Sequence, residues 1–333
     1  MRALQNFPEK IGLPSDSFIP AWWCQGPHAQ TIFARFFRPH RRVPLKRTRL
    51  ETPDQDFLDL DFLSGREDRP LVILLHGLEG SSEAPYIRSL LGELAAKSWP
   101  AVAVNFRGTS GEPNRRKYAY HSGKTEDLEA VINHATGDLK RKVIHLVGYS
   151  IGGNLMLKWL GEKEGNVPLQ VKKAVAVSVP YDLTQAVGVL DQGFNRQIYT
   201  RSLLCGLKAK TRLKEKMFPG LVDLEKLRRA RTFRDFDRLV TAPLNGFASE
   251  DHYWSQSSSR FFLERIRIPA LLIHAADDPF FPERFLPRKE ILGSSFLELR
   301  LTSGGGHLGF VSGRVPWKQE LWLEKAVLRF LDA

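Results

Sequence analysis

Gly148-Tyr149-Ser150-Ile151-Gly152 sets a serine between two glycines, each two positions away. An apolar run of strand length, Lys142 to Val147, comes before it, and a stretch of helical periodicity, Gly153 to Leu160, comes after. At such a strand–turn–helix junction a serine takes a strained backbone conformation. The glycines remove side chains that so tight a turn could not hold. The hydroxyl then stands above the carboxyl ends of strands, at a helix N-terminus, placed to attack a carbonyl carbon. Taken alone, the pattern also fits an ordinary glycine-rich turn. Its meaning rests on partners.

A serine hydroxyl is a weak nucleophile and needs a base within hydrogen-bond reach, oriented by a carboxylate. Nine histidines are available. His145 and His274 fall inside strand-like runs, and His28, His40 and His134 lack a loop at the sheet's carboxyl edge. His307 follows Thr302-Ser303-Gly304-Gly305-Gly306, a flexible path after the last expected strand, and is the expected base. The acid should lie between Ser150 and His307 at a strand end. His274-Ala275-Ala276-Asp277-Asp278-Pro279 offers two adjacent aspartates, and neighbours on an extended chain point oppositely, so only one can face the imidazole. Asp278 is favoured, Asp277 is the alternative, and Asp182 is a third. The expected oxyanion donors are the amide of Ile151, at the helix start, and that of Leu78 in His76-Gly77-Leu78-Glu79-Gly80. His76 reads as a loop-shaping residue.

The elements that must hold these groups follow a βαβα rhythm. Leu71–Leu75, Ala101–Val104, the run before Ser150 and Lys173–Val179 read as buried strands, with helices over 84–98 and 125–137 between them. Before them, Phe57–Phe62 alternates and suits an exposed antiparallel hairpin. The rhythm stops over 184–264, which has helical stretches but no strand-like run. It resumes at Pro269–His274 and Phe296–Leu301 and ends in a helix from about Trp317 to Leu331. The expected fold is α/β: a mostly parallel, doubly wound sheet of about eight strands. Residues 46–183 and 265–333 form its core, 184–264 a helical cap over the strand ends, and 1–45 an N-terminal extension packed on the core.

A 333-residue chain with 42% apolar and 26% charged residues can build a large soluble core. Cys24 and Cys205 give neither a disulfide framework nor metal-ligand spacing, and Met1–Gly12 lacks the apolar stretch of a secretory signal. A cytoplasmic protein is expected. The net charge of +12 is uneven: residues 35–49 hold seven basic side chains and no acidic one, and 201–238 hold twelve basic against five acidic. Such clusters suit a solvated face or peripheral contact with an anionic membrane. No RNA-binding or zinc-finger spacing accompanies them, which counts against nucleic acid.

The motifs His76–Gly80, Asn105–Asn114, Tyr120-His121-Ser122-Gly123, the Ser150 turn, Ala276–Pro279 and Gly305–Phe310 occur in this order. Together with Gln30-Thr31 and Phe233–Asp237, they make nearly the whole chain resemble the YheT-like branch of the α/β-hydrolase superfamily. Animal relatives of that branch include acylglycerol and phospholipid lipases. The resemblance implies that the second aspartate of Asp-Asp-Pro, Asp278, is the triad acid. Some animal relatives carry a His-x4-Asp acyltransferase-like pattern, but here Glu126 stands five residues after His121 and Asp127 six after it. Water is therefore the expected acyl acceptor. The expected activity is that of a serine carboxylesterase on short to medium acyl esters, including acylglycerols, needing no cofactor or metal. The competing expectation is a basic surface-binding protein on a hydrolase scaffold, docking to anionic lipid or nucleic acid.

Overall fold

In the computed structural model, which describes residues 18–333, eight strands form one sheet. They are β1 (Lys46–Glu51), β2 (Phe57–Leu63), β3 (Leu71–Leu75), β4 (Ala101–Asn105), β5 (Ile144–Tyr149), β6 (Val171–Val177), β7 (Ala270–Ala275) and β8 (Leu297–Thr302). Their order is β1-β2-β4-β3-β5-β6-β7-β8. β2 runs antiparallel to both β1 and β4, and the strands from β4 to β8 are parallel.

The central strands read as uninterrupted apolar runs because both sheet faces are covered. In β3, Leu71, Ile73 and Leu75 join one core with residues of α3 (Thr125–Asn133) and α4 (Ile151–Lys163). Val72 and Leu74 point the other way, into a core built with α2 (Pro85–Ala96) and the C-terminal helix Trp322–Asp332. Each such fully buried aliphatic side chain contributes about 1.5–3 kcal/mol.

The expected antiparallel hairpin forms from β1 and β2, but only β1 is exposed. β2 is buried along almost its whole length. Its alternating Asp59 and Asp61 are covered by Arg49 and Arg47 of β1, at 2.8 Å each, instead of by water. Part of the 35–49 basic cluster is thus committed to ion pairs, as is buried Arg38, which meets Glu324 at 3.0 Å.

Between β6 and β7 the described chain forms helices and no strand. The longest is Arg201–Met217, and the segment has a small core of its own, including Leu204, Leu227, Phe233 and Phe236. Residues 1–17, the first part of the expected N-terminal extension, lie outside the described residues. Phe18 joins the core on the α2 side of the sheet, while Ala21, Cys24 and Ala34 of the helix α1 (Pro27–Phe37) and its approach form a small cluster with Val311. The Gln30 amide donates to the Val311 carbonyl at 3.0 Å, and its oxygen accepts the Val311 N–H at 2.6 Å.

Two late elements differ from expectation. Ser312–Val315 and Lys318–Glu320 pair as a short hairpin, so the C-terminal helix starts at Trp322 rather than near Trp317. Among the described residues, no helix is long and apolar enough to cross a membrane.

Candidate active site

Ser150 sits between the end of β5 and the start of α4 with φ of 52° and ψ of −122°. That left-handed conformation is costly for a residue with a Cβ. The chain holds it by hydrogen bonds on both sides, from the Ser150 amide to the Val177 carbonyl (2.9 Å) and from the Asn154 amide to the Ser150 carbonyl (3.0 Å). The need for Gly152 is steric. A Cβ there would stand 2.5 Å from the His76 carbonyl oxygen.

His307 leans over this turn. Its Nε2 lies 3.1 Å from Ser150 Oγ, and its Nδ1 lies 2.9 Å from Asp278 Oδ2 and 3.2 Å from Oδ1. All three residues are buried. Phe280 stacks on the imidazole with centroids 4.0 Å apart and planes 16° from parallel. The backbone amide of His307 donates to Thr31 Oγ1 of α1 at 2.8 Å, so the first helix helps to set the histidine loop.

Asp278 and Asp277 diverge as adjacent residues should. Asp278 turns inward and accepts the amides of Phe280 (2.8 Å) and Phe281 (3.3 Å) besides meeting His307. Burial pushes its carboxyl up, but the charge and hydrogen bond of His307, aided by His274 and the Phe280 amide, hold it below the usual carboxylate range. Asp277 turns away and accepts the Gly306 amide at 2.9 Å. Asp182 caps the helix Leu183–Leu190 and pairs with Arg260 at 2.9 Å.

The loop after β3 brings Leu78 beside the serine. A Cβ on Gly77 would lie 3.2 Å from Ser150 Cβ. The amides flanking Leu78 are taken: Gly77 donates to the Tyr86 hydroxyl and Glu79 to the Tyr120 hydroxyl, both at 2.9 Å. Among the described residues, the Leu78 amide meets no protein acceptor. Ile151 is the first residue of α4, where helix amides have no intrahelical partner. His76 lies beneath this loop. Its Nδ1 contacts the Gly77 carbonyl (2.7 Å), and its Nε2 contacts Thr109 Oγ1 (3.1 Å) and the Phe106 amide (3.2 Å). Burial pushes it down to about 4.

Several supporting residues carried no chemical signal of their own in the sequence. Glu79, at a φ of 56°, has its carboxylate 2.7 Å from Lys210 of the Arg201–Met217 helix, so the Leu78 loop is tied to the segment above it. Arg107 is buried against Asp54, Asp56 and Asp127 at 2.6–2.9 Å, fixing the Asn105–Asn114 motif. Asn154 donates to the carbonyls of Ser122 (3.1 Å) and Ser257 (2.7 Å), joining α4 to the Tyr120–Gly123 motif.

Ser150 and His307 open into a cavity of about 920 Å³. Its far wall comes from the segment between β6 and β7, with Leu183, Val187, Leu190, Leu207, Phe236 and Val240. A nucleophile with a paired base at the end of an apolar cavity can perform acyl transfer on an apolar carbonyl compound.

Residues 70–313 match the family model described as alpha/beta hydrolase fold. YheT of Escherichia coli (strain K12), whose name assigns it to the esterases, is 39% identical over 94% of this chain and 92% of its own length. Phospholipase ABHD3 of Mus musculus is 27% identical over 96% of this chain and 79% of its own. Among solved structures, the Pyrococcus furiosus esterase Pf2001 superposes with a TM-score of 0.56 at 18% identity, covering 88% of this chain and 95% of that one. That likeness speaks for the fold. With the matched model, the YheT relationship and the mostly parallel eight-stranded sheet, the chain belongs to the α/β-hydrolase fold family, in its YheT-like branch.

Proposed function

We propose that this protein hydrolyses carboxylic esters of short to medium acyl chains, including acylglycerols, with Ser150, His307 and Asp278 as its triad. The observation that carries the reading is the unbroken hydrogen-bond line from Asp278 through His307 to Ser150, ending in the apolar cavity. Ser150 Oγ attacks the ester carbonyl carbon as His307 Nε2 takes its proton. The amides of Leu78 and Ile151 receive the oxyanion that forms. When the tetrahedral species collapses, the bond to the alcohol oxygen breaks, and His307 gives that oxygen the proton. Water then attacks the acyl-serine, losing a proton to His307, which returns it to Ser150 as the acid leaves. Asp278 holds the imidazole in the required tautomer and balances its transient charge. The step needs no metal or organic cofactor.

In this reading 184–264 is a cap whose apolar wall holds the acyl chain, 46–183 with 265–333 is the catalytic core, and 1–45 is an extension that braces the histidine loop. The substrate is a small-molecule ester. Cys24 and Cys205 are free thiols, which suits the reducing cytoplasm. The test is a chain-length panel of acyl esters with wild type and Ser150→Ala, together with fluorophosphonate labelling. Ser150→Ala is expected to lose roughly 10⁴-fold or more in kcat and all labelling. Unchanged turnover by a clean Ser150→Ala preparation overturns the mechanism.

A further inference from the structure

Exposed large apolar side chains line the cavity from α1 and from the Arg196–Met217 stretch. Ile32 and Phe36 of α1 line the cavity while 37% and 70% exposed, and Ile198 and Leu213 of the cap line it while 44% and 47% exposed. One further exposed apolar residue extends each helix: Phe37 follows Phe36 on α1, and Met217 lies one turn beyond Leu213. Four large apolar groups lining one cavity while exposed, with two more beside them, exceed the scattered exposure of an ordinary surface.

The charges beside them are mostly cationic; the one acid of the Leu213 helix, Glu215, has its carboxylate bonded to the amides of Gly220 and Val222. Arg35 and Lys117 are exposed and line the cavity; Arg212 and Lys216 are exposed on the Leu213 helix. Among the described residues, none of the four has a carboxylate within 4 Å. The exposed acids of the mouth, Glu83 and Glu112, face Arg88 (3.6 Å) and Arg49 (2.7 Å). What remains is a set of exposed apolar side chains flanked by cations with no carboxylate partner, two of them over aromatic rings (Arg35 on Phe36 and Lys117 on Phe218, each at 6.0 Å), the composition of elements that lie in a charged lipid interface.

We propose that this rim docks on the surface of an anionic lipid bilayer. Phe36, Phe37, Leu213 and Met217 enter the headgroup region, and Arg35, Lys117, Arg212 and Lys216 sit against lipid phosphates. The inference rests on the ester-hydrolase reading and deepens it: the cavity then opens onto the membrane, and an ester with a long apolar part enters without crossing water. It also assigns the cations of the cap helix a role that ion pairs deny to Arg38, Arg47 and Arg49 of the 35–49 cluster.

The experiment is sedimentation with vesicles of phosphatidylglycerol and, separately, phosphatidylcholine, at low and high salt. Wild type should bind phosphatidylglycerol and be released by salt. A basic residue near such a surface contributes about fivefold in affinity, so Arg212→Gln with Lys216→Gln should weaken binding about 30-fold. Phe37→Ser with Met217→Ser should weaken it as well. Leu169→Ser, at an 84% exposed position beside the amino end of β6 and so on the opposite edge of the sheet, should leave it unchanged. None of these five residues lines the cavity, so turnover of a soluble short-chain ester should match wild type throughout, which also shows that each variant is folded. Absence of vesicle binding, equal loss in Leu169→Ser, or rim variants that change only self-association or DNA binding overturns the inference. Loss of the ester reading shows separately, as no turnover of the soluble ester by wild type.

Discussion

Asp278→Asn isolates the role of the acid without emptying its site. Asp278 Oδ1 accepts the Phe280 amide at 2.8 Å and the Phe281 amide at 3.3 Å, and these donors have no alternative preference. An asparagine at 278 will therefore keep its carbonyl oxygen there and turn its NH₂ toward His307 Nδ1. That nitrogen must then accept, the ring proton moves to Nε2, and Ser150 Oγ at 3.1 Å meets a donor where it needs a base. Inverting the tautomer in a triad of this geometry costs about 10⁴-fold in kcat, or about 5.5 kcal/mol. Asp277→Asn is the control. Its oxygen can still accept the Gly306 amide, which now lies at 2.9 Å, and it does not touch the imidazole, so the loss should stay within about tenfold. Steady-state turnover of a short-chain p-nitrophenyl ester reads both variants, with thermal unfolding as the check on folding. If Asp278→Asn keeps kcat within tenfold of wild type while Asp277→Asn collapses, the reasoning fails and the acid is the other aspartate.

The Lys210–Glu79 pair ties the Arg201–Met217 helix to the Leu78 loop, with its side chains 34% and 13% exposed. A double-mutant cycle of Lys210→Met and Glu79→Gln should give a coupling of about 1 kcal/mol, read as roughly fivefold in kcat/KM; strict additivity would show that the pair does not position the loop. Asp237, bonded to the Thr241 hydroxyl (2.6 Å) and the Trp254 indole N–H (2.8 Å), is pushed up to about 6 by burial. Because the folded value lies above the unfolded one, the folded state binds this proton more tightly. The group's contribution therefore improves as pH falls through about 6 toward the unfolded value, and is least favourable above it. Asp237→Asn should remove that slope, a change on the order of 3 kcal/mol in the difference between the pH 4 and pH 8 stabilities. Denaturant midpoints at both pH values measure it, and parallel curves for the two proteins would refute it.

What the sequence made legible was what a single segment can express. Leu71–Leu75 reads as a strand because both its faces are covered, and it is that strand residue for residue. The Ser150 turn reads from its glycines because only local backbone crowding demands them. The aspartate pair was half legible: adjacency requires the two to diverge, but the inward choice depends on amides from Phe280 and Phe281 meeting Asp278 in space. Trp317 misled in the opposite sense. It sits 86% exposed at the turn of the Ser312–Glu320 hairpin, where an apolar residue mimics the first position of a helix face. Phe280, Thr31 and Glu79 act through partners distant in the chain or through the fold of a loop, and no spacing rule reports such contacts.

The bond from the His307 amide to Thr31 spans 276 residues, and the Gln30–Val311 pair spans 281. On a ribosome, Thr31 is therefore made 276 residues before the histidine loop it braces. A nascent chain can carry Ser150 on a formed β5–α4 turn long before His307 is made, and the His307 loop is braced only when it meets Thr31 and Gln30. Contacts of such long range are slow to form. A chain released before residue 307 therefore holds Ser150 without the histidine that the proposed triad requires.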